Sequence, residues 1–292
     1  KYSRFIDDIQ SWGGEDDPNP DYGTVFTSIV WSEGISPTTI GNTRLGILSL
    51  ADQFSIASFD LTFVDPVTTY IGVEVFFQFN ASLTGFTESS VRASVDQSVD
   101  DYFTANTGKF QQVFRLSNML TEVDATDPSV LSSRANIILN RRLVPVLGMT
   151  KDYTVSFPTS LRDASFSEEK SVYTSLFTYK NKTVFIRNKL DQRVRISADG
   201  VTPPVFEIQA VSQLEMVDTS GEILIDNIGS YDKVAGTVTI NALQVQSISG
   251  SRNFIKVFAV PANQAVVNSV RNNIIRYDSE ESFTKAVLVD TQ

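Results

Sequence analysis

The sequence predicts an α+β protein in which two related strand–helix–strand lobes precede a β-rich sandwich or barrel-like domain. A β-rich run, a helical segment and a second β-rich run follow one another at 24–64 and again at 70–140, an order typical of layered α+β folds. From Pro145 onward, short β-rich runs alternate with turn residues instead. We therefore assign residues 1–150 to the two lobes and residues 151–292 to the β-rich domain.

The first lobe is predicted to start after an opening loop, with a strand over TVFTSIV (24–30). A helix is expected over 36–53, because Ser36 can cap its amino end and Pro37 suits its first turn. The run over 54–64 alternates over part of its length, which predicts the second strand.

The second lobe has a more regular pattern. Its first strand, 70–80, places five apolar side chains on one face, namely Ile71, Val73, Val75, Phe77 and Phe79. Thr87 can cap the helix that follows, and one face of that helix carries Val91, Val95, Val99 and Tyr102. A shorter helix over 113–123 and a returning strand over 130–140 complete the lobe.

The composition argues against catalysis. The 292 residues include no cysteine and no histidine. Disulfides, thiolate nucleophiles and thiolate metal ligands are thereby excluded, and the commonest general base and metal ligand is absent. We therefore expect a protein that is not an enzyme and that holds no cofactor and no metal.

The net charge of the sequence indicates which classes of partner it is expected to repel. With 34 acidic and 24 basic residues, the net charge is −10, which repels nucleic acid and anionic membrane surfaces. The longest apolar runs, such as IGVEVFFQF (71–79), are about half the roughly 20 residues that a membrane-spanning helix needs. No signal peptide opens the sequence. We expect no nucleic-acid partner and no membrane partner.

The opening loop SWGGEDDPNPDYG (11–23) is either an acidic metal loop or a structural turn. Its four acidic residues are Glu15, Asp16, Asp17 and Asp21. Carboxylates can bind Ca²⁺, but an EF-hand loop has acids at alternating positions, a central glycine and a closing glutamate. The acids here are adjacent and Pro18 and Pro20 stiffen the following residues, so the spacing favours a structural turn.

In this interpretation the two glycines permit the turn, and the two aromatic residues pack down and fix its ends. The candidate structural-loop or interface residues are Trp12, Gly13, Gly14, Asp16, Asp17 and Tyr22.

Other acidic residues occur as adjacent pairs: Asp7–Asp8, Asp100–Asp101, Glu168–Glu169 and Glu280–Glu281. A glycosidase needs two carboxylates that face each other across a cleft. Adjacent residues point to opposite faces of a strand, or about 100° apart on a helix. These pairs therefore predict solvated faces. A serine–lysine pair stays open, because the chain has many residues of both types.

Six segments, in order along nearly the whole chain, carry a resemblance to a known family. They are SWGGEDDPNPDYGTVFTSI (11–29), FVDPVTTYIGVEVFF (63–77), DDYFTANTGKF (100–110), SSRANIILNRRLVP (132–145), SGEILIDNIGSYDKVAGTVTINAL (220–243) and FAVPANQAVVNSVRNNIIRYD (258–278). Together they resemble the baseplate wedge proteins of T-even-type contractile-tailed phages, within the broader baseplate J-like family. The similarity is to the C-terminal portion of such a protein.

The resemblance implies a structural subunit of the virion tail baseplate that is assembled in the host cytoplasm. In such proteins, copies pair within and between wedges as a homodimer and as a ring around the tail hub, and the ring rearranges when the sheath contracts. The implied partners are further copies of the chain and other baseplate wedge proteins. No catalytic or metal-binding residue carries over from the family.

Two other functions would each need a feature of its own. A carbohydrate-binding or adhesive tail module would need an exposed aromatic platform, and the chain has only two tryptophans, both before residue 32. A hydrolase would need two carboxylates that converge in one pocket.

Overall fold

The computed structural model describes residues 2–17, 20–54, 59–162, 170–189, 192–195, 206–209 and 212–289. Within these ranges the chain is mostly β-sheet, with three α-helices: α1 (Pro37–Phe54), α2 (Glu88–Asn106) and α3 (Leu116–Asp124). The strands are β1 (Ile6–Gly13), β2 (Thr24–Trp31), β3 (Asp60–Phe63), β4 (Val67–Phe79), β5 (Val113–Arg115), β6 (Val130–Leu143), β7 (Thr150–Ser156), β8 (Val172–Thr174), β9 (Phe177–Tyr179), β10 (Lys182–Asn188), β11 (Gln192–Arg195), β12 (Phe206–Gln209), β13 (Gln213–Asp218), β14 (Ile223–Asp232), β15 (Thr237–Gln244), β16 (Ser247–Ile248), β17 (Ile255–Ala259), β18 (Val266–Asn268), β19 (Asn273–Tyr277) and β20 (Phe283–Leu288).

The chain divides into two compact units, each assembled from three stretches. The first unit comprises Lys1–Thr69, Asp101–Phe114 and Asn268–Tyr277. The second comprises Tyr70–Asp100, Arg115–Val267 and Asp278–Gln292. The division of the chain into domains at residue 150 stays a prediction.

The first unit contains a three-stranded sheet in the order β1-β2-β3. β2 pairs in parallel with β3, and α1 lies between them in the chain. Ser36 caps α1 as predicted, since its hydroxyl accepts a hydrogen bond from the Thr39 backbone N–H at 3.2 Å.

β1 was not predicted. Its acidic segment has a low intrinsic preference for strands, and antiparallel pairing with β2 stabilises it.

The second predicted lobe is confirmed at its first strand and helix. The five apolar residues predicted for one face of β4 are all buried, and so are the four predicted for one face of α2. Thr87 caps α2 by accepting a hydrogen bond from the Ser90 N–H at 3.3 Å. These two patterns correctly identify the side chains that form the core of this part of the chain.

The predicted likeness of the two lobes is not confirmed. The residues that were predicted as one helix over 113–123 form the short strand β5 and then α3, which begins at Leu116. Two helices therefore separate β4 from β6, and these strands are antiparallel, whereas one helix separates the parallel strands β2 and β3.

After residue 145 the described residues are strands and turns without an α-helix, in agreement with the predicted β-rich character. The main sheet of the second unit runs in the order β4-β6-β17-β8-β10-β13-β14-β15-β7. The last strand, β20, pairs in parallel with β4. This pairing joins the end of the described chain to a strand about 200 residues earlier. In the same sheet, β17 pairs separately with β6.

Candidate functional site

The opening turn comprises the end of β1, which includes Trp12 and Gly13, and the connection to β2. It contains all six candidate residues predicted from the sequence. The carbonyl oxygen of Gly14 accepts hydrogen bonds from the N–H groups of Asp17 at 3.2 Å and Asp21 at 3.0 Å. A Cβ atom on the buried Gly14 would lie 1.9 Å from the carbonyl oxygen of Asp21. Glycine is therefore required at residue 14 by close approach of the backbone. A Cβ on Gly13 would meet the side chain of Glu15, which can move away.

The two aromatic residues of the turn differ. Trp12 is half-buried, its ring centroid lies 5.8 Å from that of Phe26, and its indole N–H donates to Oδ2 of Asp17 at 3.2 Å. Tyr22 is 82% exposed, so the prediction that it packs down is wrong. The reason is that Asp21 closes the turn by accepting a hydrogen bond from the Thr24 hydroxyl at 2.9 Å, which leaves Tyr22 at the tip.

The acidic residues of the turn are hydrogen-bond acceptors or solvated groups. Asp17 and Asp21 accept the bonds just described, whereas Glu15 and Asp16 are exposed. Over the residues that the structure describes, no group of three or more acidic side chains is arranged to hold a metal ion. The geometry is that of a hydrogen-bonded turn with exposed acids and an exposed tyrosine, and its role as an interface stays a proposal.

A second polar cluster was missed by the sequence analysis. The side chain of Lys256 in β17 is fully buried, and its ammonium nitrogen lies 2.7 Å from Oδ2 of Asp278. It also lies 3.1 Å from Oε2 of Glu280 and 3.0 Å from Oε1 of Glu281. The amide of Asn140 donates to the same Asp278 oxygen at 3.0 Å. Three carboxylates therefore converge on one buried cation.

Burial alone would lower the pKa of Lys256, but the hydrogen bonds to Asp278, Glu281 and Glu280 outweigh it and raise the pKa. The ammonium group therefore stays charged. The short 3-10 turn Ser279–Glu281 directs both carboxylates to Lys256. Glu280 is nevertheless 58% exposed, as predicted, whereas the prediction of a solvated side chain is wrong for Glu281, which is 33% exposed. One sequence feature could have indicated this site: a lysine within an otherwise apolar five-residue strand, IKVFA.

The remaining acidic pairs have different surroundings. The carboxylate of Asp8 accepts a hydrogen bond from the Phe110 N–H at 2.7 Å, and Asp7 accepts one from the Ser32 hydroxyl. Asp100–Asp101 is exposed, as predicted. Glu168–Glu169 lies outside the described residues.

Exposed apolar side chains cluster where β6 turns into β7. Four of them lie within six residues: Val144, Val146, Leu147 and Met149, with exposed fractions of 60%, 44%, 54% and 63%. The turn is nevertheless ordered by hydrogen bonds from the Gly148 N–H to the Val245 carbonyl oxygen at 2.8 Å and from the Val146 N–H to the Tyr153 hydroxyl at 2.9 Å. Contiguous exposed apolar groups of this kind are typical of protein contact surfaces.

The helices within the described ranges are all too short or too polar to span a membrane.

Comparison with known families identifies a match to part of the chain. Residues 68–142 match the family described as baseplate structural protein gp6, C-terminal domain III. The matched segment runs from β4 to β6 and includes both α2 and α3, which is about a quarter of the chain. A search of curated proteins found no match. The match supports a phage baseplate protein, and one that is structural rather than catalytic.

Proposed function

We propose that the chain is a structural subunit of a contractile phage tail baseplate wedge. It self-associates, forms the ring around the tail hub together with other wedge proteins, and rearranges when the sheath contracts. The observation that carries this proposal is the match of residues 68–142 to a baseplate structural domain. The proposed location is the virion tail, after assembly in the host cytoplasm.

The surface of the chain supports a role in assembly. A wedge subunit must hold neighbouring proteins through exposed but ordered surfaces, and apolar patches of this type mark contact sites. The apolar turn at 144–149 provides one such surface in the second unit. The opening turn provides another in the first unit, where Glu15, Asp16 and Tyr22 are exposed on a hydrogen-bonded frame.

The two alternative functions gain less support. Trp12 and Trp31 are both half-buried, so neither tryptophan forms the exposed platform that a carbohydrate-binding module needs. Three carboxylates do converge, as a hydrolase would require, but they converge on the ammonium group of Lys256. These arrangements favour a structural protein over an adhesive or hydrolytic one.

Immuno-electron microscopy tests the proposal. Antibodies against the chain should label the baseplate end of the tail on particles of the phage that encodes it, with antibodies against the sheath as the control for tail orientation. Labelling at the tips of the tail fibres alone would favour the adhesive function. Virions without any label, in preparations where the sheath antibody binds, would refute the proposal.

A further inference from the structure

The turn between β6 and β7 is apolar at its centre and basic on both sides. Its sequence over 141–152, RRLVPVLGMTKD, has three basic residues and one acidic residue, in a chain whose net charge is −10. The segment therefore has the opposite charge to the chain as a whole. We call it the basic-apolar turn and define it by its exposed basic and apolar side chains: Arg142, Val144, Val146, Leu147, Met149 and Lys151.

The centre of the basic-apolar turn is held in one shape by its own backbone. Pro145 is buried, and the Met149 N–H donates to the Val146 carbonyl oxygen at 3.3 Å. Gly148 has a φ of 75°, a conformation that glycine adopts without steric cost. A surface that is ordered before it binds loses little conformational entropy on binding.

The two basic residues lie over aromatic rings and form no ion pair within the described part of the chain. The guanidinium carbon of Arg142 lies 4.0 Å from the Tyr70 ring centroid. The ammonium nitrogen of Lys151 lies 5.8 Å from the Tyr153 ring centroid, and the hydroxyl of that tyrosine accepts the Val146 N–H. The charge of Lys151 is therefore positioned beside the turn.

Carboxylates that lie close in the sequence or in the sheet are engaged elsewhere. Asp152 follows Lys151, and its carboxylate accepts a hydrogen bond from the Ala242 N–H at 2.7 Å. Lys256 lies opposite Arg142 on the neighbouring strand, and the three carboxylates of its cluster bind its own ammonium group. The charges of Arg142 and Lys151 can therefore be neutralised by a partner.

We propose that the basic-apolar turn binds a different protein, at an apolar surface of that protein that is rimmed by carboxylates. The four apolar side chains form the centre of the contact and the two cations form its rim, which is the usual arrangement of an interface. Carboxylates on the partner pair with Arg142 and Lys151 and steer its association. This inference rests on the assembly role in the proposed function and names the chemistry of one partner.

Charge selects this partner over the alternatives. A second copy that used the same surface would set cations against cations, because a twofold contact joins the same patch on both subunits. Nucleic acid and anionic membranes would be attracted by the turn but repelled by the net charge of −10. A protein surface with carboxylates around an apolar centre complements both parts of the turn.

Cysteine protection tests the contact, because the chain contains no cysteine and a single introduced thiol reports its own surroundings. Maleimide labelling of a Leu147→Cys chain is measured in the free protein and in purified tails of the phage that encodes it. The thiol should react about tenfold or more slowly in tails, because the centre of an interface excludes water. Val234→Cys is the matched control and should react equally fast in both, since Val234 is 81% exposed in the turn between β14 and β15.

Charge variants in the Leu147→Cys chain test the chemistry of the partner. Arg142→Glu combined with Lys151→Glu should restore fast labelling in tails, because like charges oppose each other at an interface. Arg142→Lys combined with Lys151→Arg keeps both charges and should keep the protection. Urea midpoints verify that each variant is folded. A charge-reversed chain that stays protected in tails would refute the carboxylate rim, whereas a folded one that no longer enters tails, when the charge-conserving chain does, would support it.

The remaining outcomes separate this inference from the proposed function. Equally fast labelling of Leu147→Cys in the free chain and in antibody-labelled tails would refute the contact, while the baseplate role stands. Protection that develops in the purified chain alone as its concentration rises would assign the turn to a second copy and refute the inference. Protection of the purified chain by phosphatidylglycerol vesicles would refute it in favour of a membrane. Absence of the chain from tails would refute the proposed function, and this inference would fall with it.

Discussion

The ammonium nitrogen of Lys256 lies 2.7 Å from Oδ2 of Asp278, and the two side chains are 0% and 3% exposed. A buried charge is tolerated when it is paired and hydrogen-bonded. Both conditions are met here, because Asn140 also donates to the Asp278 carboxylate. The pair joins β17 to the segment that leads into β20. A buried ion pair therefore holds the start of the last described strand against β17.

Replacing Lys256 with methionine should destabilise the chain by about 3–5 kcal/mol, because it leaves the carboxylate of Asp278 buried without its cation. Adding Asp278→Asn to the same chain should recover much of the loss by removing the buried charge. Urea denaturation measures both free energies of unfolding.

Lys182→Met is the matched control. Lys182 also pairs with carboxylates, that of Glu222 at 2.7 Å and, more weakly, that of Asp218 at 3.6 Å, but Lys182 itself is 46% exposed and its nearer partner Glu222 is 60% exposed. Exposed pairs contribute at most about 1 kcal/mol, so the control should change the free energy of unfolding little. A Lys256→Met variant as stable as the control would contradict the structural role of the buried pair.

The stability of the chain should also fall at alkaline pH because of Tyr173. Burial, followed by the negative charges of Glu281 and Glu74, raises the pKa of Tyr173 from 10.0 to about 12. A raised folded-state pKa favours the protonated form in the folded chain, so this contribution is complete below pH 10 and is lost as the pH rises through about 12. Urea midpoints across this pH range should show the loss.

Tyr173→Phe tests this assignment, because it keeps the ring that stacks on Phe258 at a centroid distance of 4.7 Å and removes the titrating hydroxyl. Its stability should fall less steeply between pH 10 and 12. The raised pKa of Lys256 acts in the same direction, so some loss should persist in the variant. Identical pH profiles for the variant and the wild type would refute the contribution of Tyr173.

The sequence predicted the elements whose pattern is set by local burial. β4 follows from strict alternation of apolar residues, and α2 from apolar residues that are four, four and three positions apart, because each element buries one face. β1 and the ion pair of Lys256 depend on partners distant in the sequence. β1 is stabilised by pairing with β2, and Lys256 meets carboxylates about 25 residues away through a short turn. Local periodicity contains no information about either partner, and the exposure of Tyr22 also depends on how Asp21 closes its turn.

At acidic pH, stability should be lost through Asp218. The hydrogen bond from the Ser220 hydroxyl is the largest cause of the lowered pKa of Asp218. Burial alone would raise this pKa, but the hydrogen bonds from the Glu222 and Ser220 N–H groups and the charge of Lys182 also lower it. The pKa falls from 3.8 to about 2. A lowered folded-state pKa gives a contribution that is present above pH 3.8 and is lost as the pH falls through about 2.

Asp218→Asn should therefore be less stable than the wild type at neutral pH and should lose less stability on acidification. Acid titration followed by circular dichroism measures both effects. Asp226→Asn serves as the control, because Asp226 pairs with Lys189 while 78% exposed. If Asp218→Asn and Asp226→Asn have the same acid profile, the turn of Asp218 does not contribute as described.

The opening turn gives the last prediction, which separates a structural turn from a chemical loop. Gly14→Ala should cost about 1–3 kcal/mol or more, because its Cβ would lie 1.9 Å from the Asp21 carbonyl oxygen and the backbone must move. Gly13→Ala should cost less than about 1 kcal/mol, because the flexible side chain of Glu15 can give way. Urea midpoints of the two alanine variants measure this contrast within one pair of adjacent glycines.

The aromatic residues extend the same test. Trp12→Ala should cost about 1–3 kcal/mol, less than a fully buried tryptophan, because the ring is half-buried against Phe26 and its N–H bonds to Asp17. Tyr22→Ala should stay within about 0.5 kcal/mol, since its side chain is 82% exposed. A turn that tolerated Gly14→Ala and Trp12→Ala but unfolded with Asp16→Asn would depend on its exposed acid, and the hydrogen-bonded frame around Gly14 would then not be what stabilises it.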